Sequence, residues 1–261
     1  MPYAEFDDTR LHIRQLGGGP VALFIHGFPL DSTMWIDQLS ALSETRRCIA
    51  VDLRGFGRSA PVNGETLTME RHAADLAGVL DLISVETADV VGLSMGGYVA
   101  LAFAEMYPER LRTLALIDTR AEPDSPEAKQ GREAMAERVV TEGRAAIAEG
   151  MQQALLGPKA SLAAKARLRT MIEGCPHETI VGALLGMRDR PGRSHVLGSI
   201  EVPSAVVVGE HDTVTTPDSA AEMADALPDA VLVTIPDAGH LTPIEQPQAV
   251  NAALRDLFGR T

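Results

Sequence analysis

The residues Val90–Val99, which read VVGLSMGGYV, decide how this chain folds. The apolar run at 88–91 predicts a buried strand, and the run at 98–106 predicts the helix that follows it. Between them lies Gly92-Leu93-Ser94-Met95-Gly96, a G-x-S-x-G sequence typical of a sharp strand-to-helix turn that exposes its serine. Glycine is needed at both ends of this sequence because the turn leaves little room for a Cβ atom. We therefore predict that Ser94 is a nucleophile; a serine that only caps the helix is the alternative.

The composition limits the classes of protein to which the chain can belong. With 261 residues, 45% of them hydrophobic, it can bury a large core as one domain with an insertion or as two small domains. The net charge of −13 makes nucleic acids and anionic membrane surfaces poor partners. The N-terminal MPYAEFDDTR has no apolar stretch, and no run reaches the roughly 18 apolar residues of a membrane span, so we expect a cytoplasmic location. Cys48 and Cys175 are too few for a disulfide framework or a metal cluster, and we predict no metal and no cofactor.

Predicted strands alternate with predicted helices along most of the chain. An alternating pattern indicates an exposed edge strand at 11–16, and helical spacing occurs at 34–42 and 68–83. Buried strands are predicted at 21–25 and 48–51, and further strands at 114–117, 205–208 and 231–235. Strands that alternate with helices favour right-handed βαβ units, so we predict an α/β fold with a mainly parallel central sheet flanked by helices.

The segment 119–200 interrupts this alternation. It lacks any β-branched run long enough for a buried strand, and its composition predicts several helices, interrupted at Gly157-Pro158, Cys175-Pro176 and Pro191-Gly192. It carries twelve Lys and Arg against ten Asp and Glu, a net of +2, which leaves −15 for the rest of the chain. We therefore predict a core formed by 1–118 and 201–261 and a helical insertion at 119–200.

Two polar residues at the ends of predicted strands complete the chemistry that Ser94 requires. A serine hydroxyl needs an adjacent base, which is itself oriented by an acid. Asp212 follows the strand at 205–208 and His240 follows the strand at 231–235, and the carboxyl ends of parallel strands meet at one edge of a sheet. The order Ser, Asp, His along the chain is the order that accompanies this turn. Asp118 also ends a strand and is the alternative acid, although we favour Asp212.

These motifs, together with others, resemble those of the α/β-hydrolase superfamily over nearly the whole chain. They are HGFP at 26–29, DLRGFGRS at 52–59, GLSMGG at 92–97, GEHD at 209–212 and AGH at 238–240. More narrowly, the segments at 118–129, 187–191 and 238–247 resemble small bacterial carboxylesterases and their enol-lactonase relatives. The resemblance implies the α/β-hydrolase fold, with the helical insertion as a cap over the active site.

The resemblance also implies a role for each site residue. Ser94 is expected to be the nucleophile, His240 the general base and then acid, and Asp212 the residue that orients His240. The backbone N–H groups of Phe28 and Met95 are expected to form the oxyanion hole. We further expect Trp35, Arg120 and Leu241 to contact the substrate, and we interpret His26 as a structural residue whose ring binds nearby backbone.

The expected activity is hydrolysis of short- to medium-chain carboxylic esters through an acyl-enzyme, with a small-molecule ester as the only expected partner. A lactonase acting on a small anionic ring is the second possibility, and a C–C hydrolase or cofactor-free perhydrolase is the third. A small-molecule receptor with this fold is the non-enzyme alternative. Dehalogenase and epoxide hydrolase activities are disfavoured because an aspartate nucleophile is absent from the turn.

Several arginines of the insertion leave the choice between ester and lactone open. Arg188, Arg190 and Arg193 lie close together in the sequence, and Arg120 follows the strand end at Asp118. One or more of them could bind a substrate carboxylate. The alternative, which we favour, is that they are solvated or form surface ion pairs with acidic residues of the insertion, namely Glu122, Asp124 and Asp189.

Overall fold

A sheet of eight strands runs through the computed structural model, which describes residues 2–6 and 8–261. The strands are β1 Tyr3–Glu5, β2 Arg10–Leu16, β3 Val21–Ile25, β4 Arg47–Val51, β5 Ala88–Leu93, β6 Leu111–Ile117, β7 Ser204–Gly209 and β8 Ala230–Ile235. Their spatial order is β1-β2-β4-β3-β5-β6-β7-β8. The pairs β1–β2 and β2–β4 are antiparallel, and all other neighbours are parallel. The prediction of a mainly parallel sheet is therefore confirmed.

The N-terminal edge of the sheet differs from its prediction. The segment at 11–16 belongs to β2, which is not an edge strand. Its first half pairs with β1 through Tyr3–Glu5, and its second half pairs with β4. Leu11 is fully buried as a result. The strand β1 was not predicted because three residues are too few to show a pattern of alternation.

Helices cover the sheet, and the parallel strands β3, β5 and β7 are buried along their whole length, whereas β8 at the edge is mostly exposed. The helices that belong to the predicted core are α1 Ile36–Leu42, α2 Met69–Leu82, α3 Met95–Met106, α9 Pro217–Ala226, α10 Thr242–Glu245 and α11 Pro247–Phe258. Helix α2 packs against α3, and α1 packs against α11. Of the helices that the structure describes, none is both long enough and apolar enough to cross a membrane.

Five helices and no strand occupy the segment 119–200, all of which the structure describes, between β6 and β7. They are α4 Pro126–Glu142, α5 Ala145–Leu155, α6 Leu162–Gly174, α7 His177–Asp189 and α8 Ser194–Leu197, called here the inserted helices. The three predicted interruptions fall between α5 and α6, between α6 and α7, and between α7 and α8. A fourth, at Gly143, was not predicted. Gly143 has φ +83°, a backbone conformation that glycine adopts readily and that ends α4.

Candidate active site

Ser94 lies at the turn between β5 and α3, in a strained backbone conformation. Its φ is +54° and its ψ is −116°, which is unusual for any residue other than glycine. The neighbouring glycines have the steric reason that the sequence indicates. A Cβ atom on Gly92 would overlap the carbonyl group of Gly96, and a Cβ on Gly96 would overlap the carbonyl of Ile25 at the end of β3. The backbone N–H of Ser94 donates to the carbonyl of Ile117 at 2.9 Å, which ties the turn to β6.

The structure brings Ser94, His240 and Asp212 into one hydrogen-bonded chain. The distance from His240 Nε2 to Ser94 Oγ is 2.8 Å, and the distance from His240 Nδ1 to Asp212 Oδ2 is also 2.8 Å. In the tautomer that fits an ionised Asp212, Nδ1–H donates to the carboxylate and Nε2 accepts the serine proton. His240 and Asp212 are both buried, and Ser94 is half-buried. The three residues come from the ends of β5, β7 and β8, as predicted from their positions along the chain.

Asp212 is held by more donors than the histidine alone. Its Oδ1 accepts the backbone N–H groups of Val214 at 2.8 Å and Thr215 at 3.0 Å, and its Oδ2 accepts the Thr215 hydroxyl at 2.6 Å. Burial raises the pKa of this carboxyl, but the hydrogen bonds from His240 and Thr215 and the charge of His240 outweigh burial and hold it below its ordinary value. Asp212 is therefore ionised and oriented. The part played by Thr215 was not predicted, because no sequence pattern distinguishes it from other loop threonines.

Asp118, the alternative acid, makes different contacts. Its Oδ1 accepts the Gly209 N–H at 3.0 Å, and its Oδ2 accepts the Thr242 N–H at 3.0 Å and the Thr242 hydroxyl at 2.7 Å. Complete burial, together with the charge of Asp212, raises the pKa of Asp118 well above its ordinary value. Asp118 thus links the end of β7, which precedes Asp212, to the start of α10, which follows His240. Asp212, and not Asp118, is the carboxylate that contacts His240.

Glu245 supports the loop that carries His240. Its Oε1 accepts the N–H groups of Gly239 at 3.0 Å and Leu241 at 3.3 Å, and its Oε2 accepts the Gly157 N–H at 2.7 Å. Burial raises the pKa of Glu245 above its ordinary value, although these three donors oppose the shift. One carboxyl group thereby fixes both neighbours of His240 and the segment that follows α5. Sequence reasoning did not single out this residue.

The two residues whose backbone N–H groups are expected to form the oxyanion hole, Phe28 and Met95, lie in segments next to Ser94. Met95 is the first residue of α3, so its N–H has no acceptor within the helix. Phe28 lies in the loop after β3, and this loop runs close to the nucleophile, since a Cβ on Gly27 would approach the Ser94 Cβ to 3.3 Å. His26 holds the loop in place: its Nδ1 bonds to the Gly27 carbonyl at 2.9 Å, and its Nε2 accepts the Leu53 N–H at 3.0 Å. Burial lowers the pKa of His26, in agreement with the structural role predicted for it.

A cavity of about 310 Å³ opens above Ser94 and His240. Its remaining lining is largely apolar and comes from both the core and the inserted helices, namely Phe28, Tyr98, Arg120, Ala128, Gly131, Arg132, Met135, Met151, Ala154, Leu155, Leu184, Met187 and Val214. Ten of the fifteen described lining residues belong to 119–200. A pocket of this size suits a small molecule rather than a polymer.

Of the three residues expected to contact substrate, only Arg120 lines the cavity. The expectations for Trp35 and Leu241 are wrong. Trp35 is fully buried in the core, with its ring centroid 5.3 Å from that of Phe24 in β3. Leu241 is also buried in the core and does not line the cavity, although it follows His240 directly. Both errors arise because burial in the core and exposure to a cavity produce the same apolar pattern in the sequence.

The arginines near the end of the insertion do not line the cavity. Arg188 pairs with Glu133 and Asp189 on the surface. Arg193 pairs with Glu70 and Glu105, and Arg190 is buried against Asp124. The predicted surface ion pair is found only for Arg188 with Asp189. Arg190 meets its predicted partner Asp124 in a buried contact, and the partners of Arg193 belong to the core rather than to the insertion. A different arginine, Arg132 of α4, lines the cavity and was not predicted.

Among the residues that the structure describes, one group has ligand atoms close enough to hold a metal ion. It consists of Glu210, His211 and Asp237, whose candidate atoms lie within 4.8 Å of one another. All three side chains are substantially exposed, and Asp237 already pairs with Lys159 at 2.9 Å. Exposed groups of this kind, partly neutralised by a lysine, give no reason to expect a resident metal.

The chain belongs to the alpha/beta hydrolase family, whose model matches residues 22–253. The structure is similar to that of a thermophilic esterase from Thermogutta terrifontis, described as malate-bound, with a TM-score of 0.94 and 42% identity; the match covers 97% of this chain and 94% of that one. It is also similar to the enol-lactonase from Burkholderia xenovorans LB400, with a TM-score of 0.91 and 28% identity over 99% of this chain and 100% of that one. In sequence, the chain is 30% identical to a Mycobacterium tuberculosis protein, BpoC, that is provisionally named a non-heme bromoperoxidase, over 93% of this chain and 95% of that protein. The chain is thus a member of a hydrolase family, and it resembles bacterial esterases.

Proposed function

We propose that this chain is a serine hydrolase that cleaves carboxylic esters through an acyl-enzyme. The observation that carries the proposal is the continuous contact from Ser94 Oγ to His240 and from His240 to Asp212, each at 2.8 Å, below a small and largely apolar cavity. An oriented base within hydrogen-bond distance of a serine on a strained turn is the arrangement that activates a hydroxyl nucleophile. The likeness to the Thermogutta esterase supports the same class of substrate.

In the proposed mechanism, His240 Nε2 takes the proton of Ser94 Oγ as this oxygen attacks the ester carbonyl. The negative charge that develops on the carbonyl oxygen is stabilised by the N–H groups of Met95 and Phe28, each worth on the order of 3 kcal/mol in comparable sites. His240 then donates its proton to the leaving alcohol, and the acyl group remains on Ser94. Water, deprotonated by His240, releases the acid and restores the enzyme. Asp212 keeps Nδ1 protonated and stabilises the imidazolium throughout.

We also infer that the inserted helices act as a cap and determine the substrate. Nine of the fifteen described lining residues lie on these helices, and a tenth, Arg120, lies just before α4, whereas the proposed nucleophile and base come from the core. Exchange of lining residues in the insertion is therefore expected to change the preferred acyl group while the chemistry stays the same.

The proposal is tested with Ser94→Ala and p-nitrophenyl butyrate. The side chain is short, so the substitution removes the nucleophile with little effect on packing, and we expect kcat to fall by about 10⁶. Circular dichroism and the melting temperature serve as controls for folding. In the wild type, rapid quenching followed by mass spectrometry is expected to show one butyryl group on Ser94. If the variant retained more than a few per cent of wild-type activity, the proposed nucleophile would be wrong.

Hydrolysis of a small anionic lactone is the second candidate, and one feature of the cavity favours it. Arg120 and Arg132 both line the cavity, which gives it a positive wall that a neutral ester does not need. The likeness to an enol-lactonase at 28% identity is consistent with this activity. A panel of neutral and carboxylate-bearing lactones, assayed beside the p-nitrophenyl esters, separates the two candidates by their ratios of kcat/KM.

A further inference from the structure

The charges around the cavity are unevenly distributed. Arg120 and Arg132 are the only formally charged side chains among its described lining residues apart from the titratable His240, and no Asp or Glu lines it. The protein as a whole has a net charge of −13, so the side of the cavity formed by these two arginines, called here the cationic wall, has the opposite sign to the overall charge. A positive patch inside an acidic protein is a local feature that the global charge does not explain.

Three arginines share a single buried carboxylate behind this wall. Asp124 Oδ1 accepts from Arg120 at 2.9 Å and from Arg190 at 2.7 Å, and both oxygens accept from Arg132. The Asp124 side chain is fully buried, and burial raises its pKa, but the guanidinium groups of Arg132 and Arg190 outweigh burial and hold the pKa below its ordinary value. One negative charge thus faces three positive charges. The cluster Arg120–Asp124–Arg132–Arg190 has a net charge of +2.

The fold leaves hydrogen-bonding capacity unused in this cluster. The Arg120 Nε is buried and has no hydrogen-bond partner in the described part of the chain. Arg190 is further restrained because its guanidinium carbon lies 3.9 Å from the centre of the Tyr98 ring, and it donates to the carbonyls of Met187 and Glu122. Arg190 is therefore fully engaged, whereas Arg120 and Arg132 present charge to the cavity. A buried donor without an acceptor is unfavourable, so the fold does not fully satisfy this cluster by itself.

The cationic wall lies within reach of the nucleophile. Tyr98, which lines the cavity beside the cluster, is four residues after Ser94 on α3. Four residues correspond to a rise of about 6 Å along a helix. Ser94, the two arginines and several methionine and leucine side chains line the same cavity of about 310 Å³, so a ligand with a few methylene groups between two carbonyl groups has the size to reach from Ser94 to the arginines.

We propose that the substrate of this site carries a free carboxylate, which binds against Arg120 and Arg132 while its ester carbonyl lies at Ser94. The proposal rests on the esterase function proposed above and specifies its substrate class as half-esters of dicarboxylic acids. A carboxylate forms charge-assisted hydrogen bonds with guanidinium groups, and a cavity with few waters strengthens them. The bound carboxylate also offsets the positive charge of the arginines that Asp124 alone does not neutralise.

The first experiment compares two methyl esters of similar length. Hydrolysis of monomethyl glutarate and of neutral methyl pentanoate is followed by pH-stat titration at low salt, and the ratio of their kcat/KM values is the readout. We expect the wild type to prefer the half-ester by about tenfold or more, with a preference that falls as salt is added.

Three arginine variants and one control locate the source of this preference. Arg120→Gln and Arg132→Gln each leave Asp124 with two arginine partners, so folding is expected to persist, and each should lower the ratio about tenfold. Arg120→Lys, which keeps the charge, should restore part of it. Arg138→Gln is the matched control: Arg138 also lies on α4, but it is exposed, pairs with Glu142 and does not line the cavity. This variant should leave the ratio unchanged. A lower ratio in Arg138→Gln would indicate a general effect of net charge rather than binding at the cavity.

Binding of glutarate separates the failure of this proposal from failure of the esterase function. Calorimetry with Ser94→Ala measures binding without turnover, and we expect glutarate to bind and to lose affinity when Arg120→Gln or Arg132→Gln is added. Equal hydrolysis of both esters, with no glutarate binding, would overturn the carboxylate site and leave the esterase proposal intact. Arginine-dependent binding of glutarate by a protein that hydrolyses neither ester would support the carboxylate site and overturn the esterase function. A ratio that falls equally in Arg138→Gln would contradict the site as well.

Discussion

The two walls of the cavity differ in how their polar groups are paired. At the carboxyl edge of the sheet, Asp212 accepts hydrogen bonds from His240, Val214 and Thr215, and each of its oxygens is used. On the side of the inserted helices, Asp124 is shared by three arginines, and the Arg120 Nε has no partner among the described residues. The first wall is complete by itself. The wall on the side of the inserted helices carries an excess of positive charge.

This difference separates reaction chemistry from recognition. A proton relay requires fixed distances and a fixed tautomer, so every neighbour of Asp212 and His240 is specified by the fold. A binding wall must remain incomplete until the ligand arrives, because a fully paired arginine has little left to offer it. The arginine variants described above test the wall of inserted helices, and the predictions below test the sheet edge and the core beneath it.

After Ser94→Ala, the largest effect is expected from Asp212→Asn. The amide would favour the wrong tautomer of His240, and kcat is expected to fall by about 10⁴ with p-nitrophenyl butyrate. Asp118→Asn is the natural comparison, because Asp118 is also a buried carboxyl at a strand end but accepts from Gly209 and Thr242. Its loss should be much milder. If Asp118→Asn were the more damaging of the two, the acid would belong to β6 and the pairing seen at Asp212 would be incidental.

Glu245→Gln tests whether the support of His240 matters as much as its direct partners. The amide NH₂ group must face one of the N–H donors of Gly157, Gly239 or Leu241, which loses a hydrogen bond and creates a repulsive contact. We expect kcat to fall about tenfold with little change in KM, and the free energy of unfolding to fall by about 1–3 kcal/mol. Glu222→Gln, an exposed position on α9, is the control. If the Glu245→Gln protein were less stable but kept a normal kcat, the role of Glu245 would be purely structural.

The sheet wall was largely predictable from the sequence, and the reason is geometric. Parallel strands place their carboxyl ends together, so Ser94, Asp212 and His240 could be located by counting strands. Gly92 and Gly96 confirmed the turn because their steric role depends on backbone alone. The rest of this wall was not predictable: Thr215 and Glu245 act through hydrogen bonds to loops whose shape no periodicity describes.

The wall of inserted helices was much less predictable. The ends of α5, α6 and α7 were found because Pro and Gly mark them, but the face that each helix turns to the cavity was not. Arg132 lies on a mostly polar helix with no clear apolar stripe, so nothing distinguishes it from Arg138 in sequence. The expectation that Trp35 and Leu241 line the cavity was wrong for a different reason. Burial in the core and exposure to a cavity produce the same apolar pattern, so the sequence does not distinguish them.

Asp118→Asn is also expected to change how stability depends on pH. The pKa of Asp118 is raised in the folded state above the value near 3.8 of the unfolded chain. The protonated carboxyl therefore contributes stability that is complete below the unfolded value and is lost as the pH rises through the folded value, at no more than about 1.4 kcal/mol per pH unit. Urea unfolding at several pH values should show that the wild type loses stability with rising pH faster than the variant does. Asp225→Asn, on the exposed face of α9, should follow the wild type; parallel curves for Asp118→Asn would mean that Asp118 is ionised throughout.

His72 provides a contrast to Asp212 within the same core. It is fully buried, and neither ring nitrogen has a partner within residues 2–6 and 8–261. Burial, with smaller contributions from the charges of His26, Arg54 and Arg71, lowers the pKa of His72 to about 3. Asp212 shows that a buried titratable group can keep its charge when donors surround it. His72 shows the opposite case, in which burial without partners removes the charge and leaves two polar atoms unsatisfied.

His72→Leu is therefore expected to stabilise the protein, and by more in acid than at neutral pH. At pH 7.5 both states of the wild type hold His72 neutral, and the gain of about 1 kcal/mol comes from removing the unsatisfied nitrogens. Below the unfolded pKa near 6.5, the unfolded chain binds a proton that the folded protein does not, so wild-type stability falls as the pH falls toward 3. The leucine variant lacks this loss, and its advantage should grow by on the order of 2 kcal/mol at pH 5. Urea unfolding at the two pH values measures both terms, with His177→Gln, an exposed histidine at the start of α7, as the control. An advantage that does not grow in acid would mean that His72 titrates in the folded protein as it does in the unfolded chain, and that a partner for its ring forms in solution.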